Sequence, residues 1–137
     1  MTALTDKEIS KRDLIESIDP NRISSNGYDL LLEDFEIDPG ETKLILSKEK
    51  VKMPKNLISL PFLRTTYAFK GLHLSQGVID AGYEGKLKFC LTNPTKETIK
   101  TEKEDHLKAP IHLIFLETKG NAELPFGKRK NEFNDFQ

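Results

Sequence analysis

Between residues 86 and 92 apolar and polar side chains alternate one for one. Leu87, Phe89 and Leu91 fall on one face; Lys86, Lys88, Cys90 and Thr92 fall on the other. That period of two predicts a β-strand with one buried face. Ile111, Leu113 and Phe115 repeat the pattern with His112 opposite. Shorter runs predict further strands at Tyr28–Leu32, Lys43–Leu46, Leu57–Leu60, Val78–Asp80 and Thr98–Thr101. Turn signals at Asp38-Pro39-Gly40, Met53-Pro54, Asn93-Pro94 and Ala109-Pro110 separate several of them. Short strands at roughly 8–12-residue spacing predict an all-β sandwich or barrel. The N-terminus reads differently. Thr5 and Glu8 have the spacing of a capping box, with Leu4 and Ile9 as the matching hydrophobic staple. These predict a helix running to about Ser17, stopped before Pro20.

From about Gly120 the pattern fades into a polar tail that is basic in its middle. The expectation for 119–137 is a mobile closing segment on a single domain spanning 1–137. Composition narrows the class. Of 137 residues 36% are hydrophobic and 31% charged, which predicts a thin core or burial through oligomerisation. The formal net charge of -1 argues against a general nucleic-acid or anionic-membrane binder. No apolar run approaches the ~20 residues that span a bilayer, and the first residues lack the form of a secretory signal. A cytoplasmic protein is expected. The single Cys90 excludes an internal disulfide framework and the Cys-rich zinc site of the zinc nucleobase deaminases.

Four places hold candidate chemistry. In Val78-Ile79-Asp80-Ala81-Gly82-Tyr83-Glu84-Gly85 an apolar strand ends in an acid and turns, giving a hairpin with Asp80 at its mouth. Asp80 either bonds the backbone N–H groups of its own turn or has a chemical role. Arg64-Thr65-Thr66 offers a guanidinium fork and two hydroxyls, suited to a phosphate; the alternative is a surface arginine. Lys128-Arg129-Lys130, after Phe126-Gly127, is either a cationic lid or a solvated tail. His112 is either a ligand or a packed strand residue. No Walker, G-x-G-x-x-G or G-x-S-x-G motif occurs.

Taken in order, these segments resemble the superfamily of dUTPases and dCTP deaminases, the archaeal-type branch most of all. The similarity starts at LTDKEI and continues through Asn26-Gly27-Tyr28-Asp29-Leu30, LPFLRTTYAFKGL, VIDAGYEGKLKFCLTN, API-HLIF and LPFGKRKNEF. The resemblance implies a distorted, jelly-roll-like β-barrel and a homotrimer with active sites between subunits. It implies Mg²⁺ and hydrolysis of dUTP to dUMP and pyrophosphate. By matched position, Asp80 would activate the attacking water and Tyr83 would pack on the deoxyribose. The backbone around Gly77–Ala81 would read the pyrimidine edge. Arg64 and Thr65 would hold phosphates, with Thr66 beside them, and Lys70 falls where dUTPases often carry a lysine. Asp29 would lie near the metal's water shell. His112 stands where a glutamine usually faces the phosphates, and Phe126, Lys128 and Arg129 match the closing segment.

The deaminases carry a glutamate where this chain has Cys90 and an arginine where it has Phe69. A thiol cannot do that carboxylate's proton transfer, so deamination is disfavoured. A non-catalytic trimeric nucleotide-binding module on the same fold is the other alternative to dUTP hydrolysis.

Overall fold

A computed structural model describes residues 2–124 as an all-β body with two short helices. In chain order the elements are β1 (Thr2–Ala3), α1 (Asp6–Lys11), β2 (Ile23–Ser24), β3 (Gly27–Leu30), β4 (Glu36–Ile37), β5 (Thr42–Lys52), β6 (Leu57–Leu63), α2 (Thr65–Ala68), β7 (His73–Ser75), β8 (Glu84–Thr92), β9 (Ile99–Lys100) and β10 (Ile111–Glu117). Every named strand pair is antiparallel. β10 is the hub of one sheet, paired to β6 along one edge and to β3 and β1 along the other. A second sheet runs β5-β8-β7, and β4 pairs with β9. Single bridges, Leu32 to Ser47 and Ser59 to Ile79, stitch the two larger sheets into a curled half-barrel.

The alternating runs fold as their period dictates. Leu87, Phe89, Leu91, Ile111, Leu113 and Phe115 are all buried in one core with Tyr28, Leu30, Ile37, Leu57 and Tyr67. Burying side chains of this size gives about 1.5–3 kcal/mol each before chain entropy is counted. The buried polar residues Ser47, Ser59 and Asn93 are partnered. Asn93 donates to the carbonyls of Ile37 and Glu97, and its amide oxygen accepts from the Thr95 backbone and hydroxyl. A register shift between Leu46 and Lys50 of β5 accompanies an inward Glu49. That carboxylate accepts from Tyr28 Oη at 2.5 Å and from the Leu31 N–H at 3.0 Å.

Three expectations need correction. The first helix ends at Lys11, about six residues early, and the Thr5 side chain makes no capping bond. Beyond it Ile15 bridges to Val51, and Glu16 and Leu14 exchange backbone bonds with Lys50 and Lys52. Pairing with the end of β5 has overridden local helix preference. Leu4 and Ile9 are nonetheless both buried, as the staple requires. Second, Val78–Asp80 is no strand: only Ile79 makes a bridge, to Ser59. Third, Asp80 therefore sits in a turn within the connection from β7 to its antiparallel partner β8, and its own segment is not one arm of a hairpin.

Tyr67 gives the fold an alkaline limit. Its ring is fully buried, and burial pushes its hydroxyl up to about 12 from 10.0. Burial and the bond to Glu49 push Tyr28 up as well. An unfolded chain ionises these groups near pH 10, while the folded chain keeps their protons. Stability is therefore complete below pH 10 and falls as pH rises toward 12. The melting temperature is expected to drop steeply between pH 10 and 12, with a shallower drop in Tyr67→Phe. A flat profile would contradict the burial.

Candidate active site

Cross-strand register assembles the first cluster. Asp29 of β3 lies directly opposite His112 of β10, and His112 Nδ1 stands 3.0 Å from Asp29 Oδ1. Arg64, which lies between β6 and α2 as the N-cap residue of the helix, brings its Nε to 3.5 Å from Asp29 Oδ2. Its Nη1 donates to the carbonyls of His106 at 2.8 Å and Ala109 at 3.1 Å. The guanidinium is thus half-buried and fixed, unlike a surface arginine. Tyr67 supports the same loop, donating to the Leu107 carbonyl at 2.8 Å and accepting from the Glu102 N–H at 3.0 Å. Lys70 pairs with Glu102 and lies 5.8 Å from the centre of the Tyr67 ring. Thr65 and Thr66 open α2 beside Arg64, Thr65 exposed and Thr66 half-buried.

A second cluster forms at the turn Asp80-Ala81-Gly82-Tyr83. The Tyr83 N–H donates to the Asp80 main-chain carbonyl at 3.2 Å. Gly82 has φ +87°, the third-position conformation that a type II turn assigns to glycine. The Gly82 N–H reaches the carbonyls of Met53 and Pro54, and Met53 N–H reaches Tyr83 O, so the turn is sewn to the end of β5. Tyr83 folds its hydroxyl back to the Lys86 carbonyl, and burial raises that hydroxyl's pKa. The Asp80 carboxylate is exposed and makes no hydrogen bond or ion pair to another described residue. The turn is closed by main chain alone, which leaves that carboxylate available. Gly77 is exposed just upstream.

The two clusters do not meet. Ile79 pairs with Ser59 on β6, and the antiparallel direction carries Asp80 away from Arg64. Six residues of strand between the levels of Ile58 and Arg64 separate them by about 20 Å. Among the described residues no group of three or more His, Cys, Asp or Glu side chains converges as a metal site, and no helix is long and apolar enough to cross a membrane. Phe126, Lys128 and Arg129 lie outside the described residues.

A family model described as dUTPase matches residues 13–129. The chain belongs to the dUTPase family. Its relatives include the probable deoxyuridine 5'-triphosphate nucleotidohydrolase of Sulfolobus islandicus rod-shaped virus 1, 29% identical over 90% of this chain and 89% of that one. A dCTP deaminase of Pyrobaculum aerophilum is 31% identical over 66% of this chain, which spans 50% of the deaminase. Among solved structures, native EIAV dUTPase has a TM-score of 0.58 and 29% identity over 77% of this chain and 85% of that one. A dUTPase from phage phi11 of S. aureus, described with a structural Mg(II) ion, has the same TM-score at 20% identity over 77% of this chain and 82% of that one, and supports the fold alone.

Within this dUTPase-family chain the structure unites Asp29, Arg64 and His112. It leaves Asp80, Gly77 and Tyr83 as a separate group. Two supporting residues were given no role from the sequence. Gly27 is bare beneath the His112 ring: a Cβ there would stand 2.7 Å from Cε1 and Nε2 and 2.3 Å from the Leu113 carbonyl. Tyr67 holds the loop that anchors Arg64. Its place one helical turn after Arg64 was the available signal.

Proposed function

We propose that this chain hydrolyses dUTP to dUMP and pyrophosphate, as a homotrimer whose active sites lie between subunits. The observation that carries the reading is the separation of two half-sites. Arg64 and His112, held by Asp29, make a cluster of N–H donors suited to phosphate, while an uncommitted Asp80 carboxylate stands about 20 Å away along β6. A neighbouring subunit's turn laid against the cradle would complete one site. Exposed Phe62 and Phe69, and a cleft of ≈ 650 Å³ walled by Pro61, Phe62, Leu63, Leu72 and Leu74, give apolar surface for that contact.

In the reaction, Asp80 takes a proton from water as its oxygen bonds to the α-phosphorus. The bond from phosphorus to the bridging oxygen breaks, and its electron pair leaves with pyrophosphate. Arg64, Thr65, Thr66 and His112 hold the phosphate chain. Tyr83 packs on the deoxyribose, and the backbone at Gly77 lies by the base. Mg²⁺ enters the reading as the cation carried by the triphosphate, whose charge it offsets. Among the described residues no group of three or more His, Cys, Asp or Glu side chains converges to hold it.

The test is a product assay with Mg²⁺ and either dUTP or dCTP, resolved by chromatography. dUMP and pyrophosphate from dUTP, with dCTP untouched, are expected. Bound but unconverted dUTP would point to a non-catalytic nucleotide-binding module. Any dUTP or dUMP from dCTP would make it a deaminase.

A further inference from the structure

We propose that Asp29 organises an anion cradle by holding the Arg64 guanidinium in place, with His112 as a positioning residue acting through it on Arg64. This adds a positioning role to the one that family resemblance gives Asp29, and it rests on reading the cradle as the phosphate subsite.

Both Asp29 oxygens are engaged. Oδ1 meets His112 Nδ1 at 3.0 Å and Oδ2 meets Arg64 Nε at 3.5 Å. The first contact is set by backbone register, since the two residues are direct partners between β3 and β10. The carboxylate is largely enclosed, with 19% of its side chain exposed. Arg64 is gripped on two sides, its Nε by Asp29 and its Nη1 by two carbonyls. Of the five N–H donors of a guanidinium, the pair on Nη2 makes no hydrogen bond to another described residue. The His112 ring lies over the bare Gly27 backbone, with Nδ1 turned to Asp29 and Nε2 as its remaining nitrogen.

A carboxylate so placed sets the direction of the guanidinium and the imidazole together. Without it, Arg64 keeps only its Nη1 bonds and the fork is free to swing. Without His112, the Asp29 carboxylate loses the contact that fixes its own rotation. A glutamine at 112 carries an amide donor that could replace Nδ1–H, so His112→Gln separates positioning from the imidazole itself.

The experiment measures affinity of the full-length protein for inorganic triphosphate in EDTA by calorimetry, and the Mg²⁺ concentration that half-saturates dUTP hydrolysis. Asp29→Asn and His112→Ala are each expected to weaken metal-free triphosphate binding roughly tenfold or more, the scale of one charge-assisted hydrogen bond. His112→Gln should restore binding to within about threefold of the original chain. The proposal is overturned if Asp29→Asn binds triphosphate normally yet needs several times more Mg²⁺. Should Asp29→Asn not fold, the His112 pair decides: equal binding by Ala, Gln and the original residue overturns it, and so does equal loss in both variants. If the unaltered protein binds neither triphosphate nor dUTP, the phosphate-site reading fails and takes this one with it. If it binds and the variants bind alike, only this inference fails.

Discussion

Asp80→Asn is expected to leave the fold and dUTP affinity nearly intact while slowing hydrolysis by about 10²–10⁴-fold, the span that a lost general base costs. The structure isolates chemistry from folding at this position. The turn closes through the Asp80 main-chain carbonyl and Gly82 supplies the positive φ, so the side chain holds nothing in place. An amide has the same shape but accepts no proton from water. Thermal melting should be unchanged, and a nucleotide-binding isotherm should match that of the unaltered protein. Normal turnover by this variant would remove Asp80 from the mechanism. A large drop in melting temperature would instead mean that its carboxylate has a structural partner in the assembly.

The second large effect comes from mixing. Arg64→Ala removes the grip on the phosphate chain as well as the link from Asp29 to the 101–110 loop. Alone, it is expected to be nearly inactive, as is Asp80→Asn. Combined before assembly in equal amounts, the two chains should regain about a quarter of normal activity. A site between subunits draws Arg64 from one chain and Asp80 from its neighbour, and a random pairing brings the two intact residues together about one time in four. No recovery on mixing, with oligomers formed, would place both residues of a site on the same chain. The separation of about 20 Å between them along β6, from the rise per residue of a strand, makes that outcome hard to reconcile with one phosphate chain.

How much of this was legible in the residues depended on the range of the interaction. Leu87-Phe89-Leu91 and Ile111-Leu113-Phe115 showed their buried faces because a period of two records burial directly. The all-β class followed from them. The first helix was overextended because capping and staple signals are local, whereas the pairing of 14–16 with β5 is not. β7 and the one-turn α2 are too short for any period to register. At the site, Asp80 and Arg64 stood out by residue type and setting. The Asp29–His112 contact did not, since its members lie 83 residues apart and only the β3–β10 register joins them. His112 was therefore read as a substitution for glutamine, without the partner that gives it a purpose.

The position of β10 has a consequence for synthesis of the chain. It is the last strand described, yet β1, β3 and β6 all pair with it. A nascent chain that has emerged only as far as Pro110 therefore holds three strands whose edges have no central neighbour. Those edges, with their unpaired N–H and C=O groups, are open to pairing with other chains. The main sheet and the phosphate cradle then form together, in one late step, when residues 111–117 arrive. Folding should thus be slow, as long-range strand pairing makes it, and it cannot finish before β10 has emerged. The interval before β10 emerges is the one in which a chaperone would matter most.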